Sequence, residues 1–255
     1  MLLAIDVGNT HIVIGLFRED EVIYNWRIST QAQKTADEIG PIILDMLERV
    51  QFTKDDIQGI VIGSVVPTLT ESLFDMSRKY FNCHTLVVNA RVKTSMPILM
   101  DNPNEVGADR IADGIAAYRL YGGPIIVVDF GTGTTFDYIN AMGEYEGGVI
   151  APGIGICIDA LFNKAAKLSK VEYVKPPNVI GSNTVNSMQS GFYYGFAGQV
   201  DGILEKMMRE MGTEDVKVVA TGGYGRLVER ESKYIQKVEP LLTLYGLKMI
   251  YEENV

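Results

Sequence analysis

The sequence predicts an α/β protein built from two similar halves, and three observations carry that prediction. Short β-rich runs come in a set of three at the N-terminus and again after residue 123, each set leads through helical periodicity to a buried strand, and glycine-bearing turns interrupt both sets at matching places. Two copies make a duplicated domain rather than a solenoid. A chain of 255 residues can be one large domain or two halves of about 125 residues, with enough chain to bury a core in either case.

In the first half, residues 1–7 (MLLAIDV), 10–17 (THIVIGLF) and 21–28 (EVIYNWRI) read as an antiparallel meander, broken by Gly8-Asn9 and by Arg18-Glu19-Asp20. From Thr35 to Val50, Ile39, Ile42, Ile43, Met46, Leu47 and Val50 recur at the spacing of one helix face, with Pro41 either in the first turn or bending the helix. Ile57–Val66 (IQGIVIGSVV) is a buried strand, Pro67 opens a second helix through Phe81, and residues 84–88 (HTLVV) form a closing strand. The second half repeats the plan. Residues 124–129 (PIIVVD), 134–140 (TTFDYIN) and 144–151 (EYEGGVIA) are strands, helices follow at about 154–167 and 185–212, and VKVVA at 216–220 runs into Thr221-Gly222-Gly223. IVIGSVV (60–66) aligns with VVATGGY (218–224), and LAIDVGNTHIVIG (3–15) with VVDFGTGTTFDYI (127–139). Residues 1–113 and 114–255 are therefore the expected halves.

Composition excludes several function classes. With 47 % hydrophobic and 22 % charged residues the chain is neither disordered nor of low complexity. A net charge of −9 repels nucleic acid, and the densest basic stretch, Lys164–Lys170, reads as a solvated helix face followed by a loop. Cys83 and Cys157 form no CxxC or Cys/His cluster, so neither zinc nor a redox pair is indicated, and both read as small buried hydrophobes. The start MLLAIDVGNT carries no basic n-region, and no apolar run approaches 18 residues, so a soluble cytoplasmic protein without membrane contacts is expected.

The chemistry lies in the turns. Asp6-Val7-Gly8-Asn9-Thr10 sits between the first two strands, where glycine lets the backbone approach a ligand. Asn and Thr can there bind phosphate oxygens while Asp6 holds Mg²⁺ directly or through water. Asp129-Phe130-Gly131-Thr132-Gly133-Thr134-Thr135 is its counterpart, so two acid-glycine-hydroxyl turns can grip a polyphosphate and its cations in a cleft between the halves. A third turn, Thr221-Gly222-Gly223-Tyr224-Gly225, lets the chain run beside a nucleobase or ribose. Neither a Walker motif nor a strand-borne G-x-G-x-x-G is present. Asn102-Pro103-Asn104-Glu105-Val106-Gly107-Ala108-Asp109-Arg110 forms a loop before a helix that starts at Asp109 and Arg110. An aspartate there either stabilises the helix dipole or accepts a proton from a substrate hydroxyl, with the guanidinium offsetting charge. His11 and His84 read as strand residues. Tyr193 and Tyr194, beside Phe192 and Phe196, read as core or dimer contacts.

The duplicated meanders and their turns look like the actin, hexokinase and Hsp70 superfamily, which implies two duplicated actin-like (RNase H-like) domains with a nucleotide cleft between them. DxGNT, NPxEVGADR, DxGTxTTxD, the run Gly148-Val149-Ile150-Ala151-Pro152-Gly153, Gly181-Ser182-Asn183-Thr184 and ATGGY, in this order, resemble type III pantothenate kinase along nearly the whole chain. That resemblance implies ATP-dependent phosphorylation of the primary hydroxyl of pantothenate, the first committed step of coenzyme A synthesis. It implies Asp109 as general base, Asp6 as the Mg²⁺-associated carboxylate, and Asp129 as ligand of a monovalent cation, K⁺ or NH₄⁺. ATP would meet Asp6, Val7, Gly8, Asn9, Thr10, His11, Ile12, Val13 and Thr132, and pantothenate Gly107, Ala108, Asp109, Arg110 and Thr184. A homodimer would complete each substrate pocket. One departure is Ile98-Leu99-Met100-Asp101, where many relatives carry an aromatic residue: Met100 can pack on geminal methyls but lacks a phenolic hydrogen bond. A sugar or acyl-acid kinase of the same fold is disfavoured by GADR, an inactive accessory protein by the intact Asp6, Asp109 and Asp129, and a filament former by the short chain.

Overall fold

In the computed structural model, which describes residues 1–89, 92–164 and 171–255, the N-terminal runs form β1 (Leu2–Val7), β2 (His11–Arg18) and β3 (Glu21–Ser29), paired antiparallel. Alternation sorts their side chains. Leu3, Ile5 and Val7 join Ile12, Ile14 and Leu16 in one core, which leaves Ala4 and Asp6 on the other face beside Val13 and Gly15.

The first helix, α1 (Ala36–Arg49), starts with a capping box in which the Thr35 amide donates to Glu38 Oε2 at 2.8 Å. Pro41 lies in its second turn rather than its first. Gly40, which has no Cβ to meet the pyrrolidine ring, precedes it, and the Tyr80 ring packs closely over Gly40. β4 (Gly59–Ser64) lies parallel to β1, and α2 (Pro67–Met76) continues as a π-helical turn over Ser77–Phe81, ending at Asn82 with φ 51°. β5 (His84–Val87) completes a sheet of order β3-β2-β1-β4-β5. α1 and α2 cover its first face through Ile39, Ile43, Leu47, Leu69, Leu73 and Met76. α3 (Ala108–Tyr121) then carries the chain from the first compact unit into the second, at residues 116 and 117.

The second unit repeats the topology. β6 (Ile125–Phe130), β7 (Gly133–Ile139) and β8 (Tyr145–Pro152) are antiparallel, and β9 (Lys217–Gly222) and the two-residue β10 (Lys237–Val238) add in parallel to give β10-β9-β6-β7-β8. Ile126, Val128, Phe130, Phe136, Val218 and Ala220 form the core with α4 (Ile154–Lys164) and α5 (Thr184–Met211), while α6 (Gly225–Glu229) follows β9. Tyr193 is buried there, and Phe192, Tyr194 and Phe196 pack against it. Residues 165–170 of the basic stretch lie outside the described residues.

The last helix departs from the expected division. α7 (Leu242–Glu252) belongs with residues 1–116, so the first unit is 1–116 with 241–255 and the second is 117–240. The physical reason is a bare strip on the second face of the first sheet: Gly15, Gly59 and Gly63 leave room that Leu244, Tyr251 and Leu247 of α7 fill. Gly246 in turn lets α7 meet the backbone of α3 at Ala112, closer than any Cβ would allow. Cys83 and Cys157, expected to be buried, are half-buried and free, Cys83 packing against the edge of the first core.

Lys248 is the one lysine among the described buried polar residues. Burial pushes its pKa down, but Asp20 (2.7 Å) and Glu252 (2.5 Å) outweigh burial and raise it, while the same hydrogen bond holds Asp20 below its ordinary value. Lys248→Ala removes three packed methylenes at about 0.8 kcal/mol each and is expected to cost about 2 kcal/mol in urea unfolding, with Lys248→Met costing less because it keeps the stem. The contribution of the pair is present above the ordinary carboxylate pKa and is lost as pH falls through the lowered folded-state pKa of Asp20. Asp20→Asn should therefore flatten that part of the acid limb in stability measured against pH.

Candidate active site

Both central strands end in the same way. Asp6 is the penultimate residue of β1, half-buried between Val13 of β2 and Gly63 of β4. The following turn is tied down on itself and by the end of β3: the Gly8 amide donates to the His11 carbonyl (3.0 Å), the Thr30 hydroxyl to the Gly8 carbonyl (2.7 Å), and the Thr30 amide to the Thr10 carbonyl (3.0 Å). Asn9, Thr10 and His11 are exposed. Val7 and Ile12 are 1 % and 2 % exposed, so only their main chain can face a ligand at this turn.

The loop carrying Asp109 is brought to the same end of the first unit. The Val65 amide, just beyond β4, donates to the Val7 carbonyl (3.0 Å), and a Cβ on Gly107 would stand 3.6 Å from Val65 Cγ1. Asn102 caps the short turn Pro103–Glu105 by accepting from the Asn104 amide at 3.2 Å, and Val106 is buried. Asp109 bends over Gly107, where any side chain would collide with its Oδ1, and that oxygen accepts from the Arg110 amide at 2.8 Å. The carboxylate thus occupies the positive end of α3 and also stays half-buried at the surface, as does Arg110. Because Gly246 and Ala112 touch, α7 fixes where the first turns of α3 lie. Met100, half-buried, precedes this loop.

In the second unit Asp129 is equivalent to Asp6, which corrects by one residue the alignment of 3–15 with 127–139, where Asp6 falls on Phe130. It is penultimate in β6, between Thr135 of β7 and Thr221 of β9. Gly222 has φ 82°, and a Cβ there would lie 2.6 Å from the Phe130 carbonyl group and nearer still to Asp129 Oδ1, so only glycine leaves that carboxylate its place. Thr132 is exposed in the turn between β6 and β7, against which Gly153 packs without space for a side chain. Thr184 is the exposed first residue of α5, whose cap Asn183 accepts from the Asn186 amide at 2.9 Å. The Ser187 hydroxyl, donating to the Gly181 carbonyl at 3.2 Å, ties the preceding segment to that helix.

The two aspartates differ in what surrounds them on the sheet. Beside Asp6 are a valine and a glycine, with Gly15 two residues further along β2; beside Asp129 are two threonines, with Asp137 two residues further along β7. Thr135 and Thr221 entered sequence reasoning only as members of ligand-facing turns and Asp137 only as a motif letter, although strand alternation from Gly133 puts Thr135 and Asp137 on the face of Asp129. Among the described residues no three His, Cys, Asp or Glu side chains converge on a metal position. Nucleotide oxygens and water would have to complete the shell of an ion at either aspartate.

Comparison with known proteins places this geometry. Solved structures with the same fold include the activator of 2-hydroxyisocaproyl-CoA dehydratase from Clostridium difficile (10 % identical, TM-score 0.58, 98 % of this chain and 94 % of that one). A second is the inorganic polyphosphate/ATP-glucomannokinase from Arthrobacter sp. strain KM (14 %, TM-score 0.51, 99 % and 98 %). They establish the duplicated actin-like α/β fold. The type III pantothenate kinase of Moorella thermoacetica is 55 % identical over 254 residues and that of Citrifermentans bemidjiense 50 %, each covering 100 % of both chains. The type III pantothenate kinase of Streptomyces griseus is 51 % identical over 262 residues, covering 100 % of this chain and 99 % of its own. The family model for type III pantothenate kinase matches residues 2–206, a span that holds both acid-glycine turns and the Asp109 loop. Because the family model matches well over half of the chain and these relatives are 50–55 % identical to it over its whole length, the chain belongs to the type III pantothenate kinase family.

Proposed function

We propose that this chain transfers the γ-phosphoryl group of ATP to the primary hydroxyl of pantothenate, giving 4'-phosphopantothenate and so beginning coenzyme A biosynthesis. The observation that carries the reading is the identity of 50–55 % to type III pantothenate kinases over the full length of each. The residues of Asp6–Thr10, Gly107–Arg110 and Asp129–Thr135 support it, because they lie at strand and helix ends where a ligand has access. Phosphoryl transfer asks mainly for positioning and charge stabilisation. The turn at Gly8–Thr10, with the Asn9 and Thr10 side chains, would hold phosphate oxygens beside Asp6, Val7 and His11–Val13, and Thr132 would contact ATP from the second turn. Gly107–Arg110 and Thr184 would hold pantothenate, Asp109 taking the proton of the attacking hydroxyl and Arg110 offsetting negative charge.

The residues present fit two different cations. Asp6, set between a valine and a glycine on the sheet, suits Mg²⁺, which keeps its own water, whereas Asp129 between two threonines suits a weakly hydrated monovalent ion such as K⁺ or NH₄⁺. When bound, Mg²⁺ neutralises charge on the phosphates and the monovalent cation offsets the Asp129 carboxylate beside them. A second copy of the chain is the proposed macromolecular partner: Val179, Ile180 and Val185 are 63, 89 and 46 % exposed around the Gly181–Thr184 segment. No described helix is long and apolar enough to cross a membrane, and the charge of −9 disfavours nucleic acid as a partner.

The direct test incubates the protein with ATP, Mg²⁺, K⁺ and pantothenate and looks for phosphopantothenate by mass spectrometry; product from a hexose instead would point to a sugar kinase. Turnover in K⁺ or NH₄⁺ should exceed that in tetramethylammonium at matched ionic strength, and equal rates would remove the monovalent ion from the scheme. Asp109→Asn is expected to lower kcat by about 10²- to 10⁴-fold with nucleotide binding nearly intact. Asp6→Asn should instead weaken Mg-ATP binding itself, so calorimetry on both variants separates the roles. Near-normal turnover by Asp109→Asn would leave that carboxylate as a helix cap only.

A further inference from the structure

Asp137 lies in the middle of β7, fully buried, and its two oxygens accept from the Tyr145 hydroxyl (2.6 Å) and the Thr135 hydroxyl (2.8 Å). Burying a carboxylate is costly, and the fold does not require one here. In the first unit the equivalent positions on β2 are Val13 and Gly15, which make the same sheet with neither hydroxyl nor charge. The extra polar groups are confined to the half whose aspartate stands between threonines.

We propose that Asp137 is a positioning residue that turns Thr135 into an acceptor-only oxygen facing the Asp129 site. A threonine hydroxyl has one proton and two lone pairs, whereas a carboxylate can only accept. Once the proton of Thr135 is given to Asp137, what its oxygen has left to offer is lone pairs, and Thr135 is directly opposite Asp129 on the same face. An oxygen without a competing proton serves a cation and not a phosphate. Tyr145, on the far side of Asp137, holds the carboxylate in place but does not face Asp129 in the register. The inference rests on the reading of Asp129 as a cation ligand and extends it to the residues behind that ligand.

The experiment follows thermal unfolding of the protein saturated with Mg²⁺ and a non-hydrolysable ATP analogue while K⁺ replaces tetramethylammonium at constant ionic strength, so that the midpoint of the K⁺-dependent rise in Tm is read without turnover. Partners behind a metal ligand typically change affinity by about 10- to 100-fold. Asp137→Asn and Thr135→Val should raise the midpoint by that factor, Thr135→Ser should restore it, and Tyr145→Phe should lower Tm in tetramethylammonium without moving it. If Asp129→Asn abolishes the K⁺ effect while Asp137→Asn and Thr135→Val keep the wild-type midpoint, the proposal is overturned and the cation reading of Asp129 stands. If Asp129→Asn keeps that midpoint, or the wild type shows no K⁺ effect, the cation reading itself fails and the proposal with it. A shift in Tyr145→Phe as large as in Thr135→Val would make the network merely structural. Should Asp137→Asn not fold, the Thr135→Val and Thr135→Ser pair decides.

Discussion

A central strand paired antiparallel on one side and parallel on the other is the constraint on which each unit depends. At the carboxyl end of such a strand the antiparallel neighbour returns through a short turn while the parallel neighbour runs on towards a helix, which opens a gap lined by backbone. Strand alternation then decides what stands there. Val7 and Phe130 belong to the cores, so Asp6 and Asp129, one residue earlier, must face the other way. A slip of one residue would bury both carboxylates among isoleucines and valines.

The same scaffold has been filled differently in its two copies. In the first, small residues on the second face of the sheet make room for α7, which through Gly246 sets the position of α3 and hence of the Asp109 loop. In the second, that face carries Thr135, Asp137 and Thr221 in register with Asp129. Duplication thus supplied two equivalent aspartates, and side chains one or two positions away made them chemically unlike.

Much of this was legible in the sequence because local signals agreed with the fold. The turns at Gly8-Asn9 and at Gly131–Gly133 separate strands with clean alternation, and the alignment of 60–66 with 218–224 matches the sheet register, in which Ser64 and Gly222 stand at equivalent places beside Val7 and Phe130. Less legible was whatever depends on distant partners. LTLYGLKMIYE is apolar nearly all round, and nothing local says that its glycine meets Ala112 or that Lys248 reaches Asp20. The close packing of Tyr80 over Gly40, the residue before Pro41, comes from a distant segment, and β10 is too short to carry a pattern. Of the site, the motif residues could be read and their supports could not. Asp137 was visible as a letter of DxGTxTTxD, two residues from Thr135 on one strand face, but its burial and its Tyr145 partner come from the pairing of β7 with β8.

The return of α7 to the first unit also bears on the order in which the chain can assemble. Residues 117–240 are contiguous, so the second unit has all its strands and helices once they have left the ribosome. The first unit does not, because the strip formed by Gly15, Gly59 and Gly63 stays open until Leu242–Glu252 has been made. Synthesis proceeds from the N-terminus, yet here the half that is begun first is finished last, and its sheet must wait with one face bare while the whole second unit is translated.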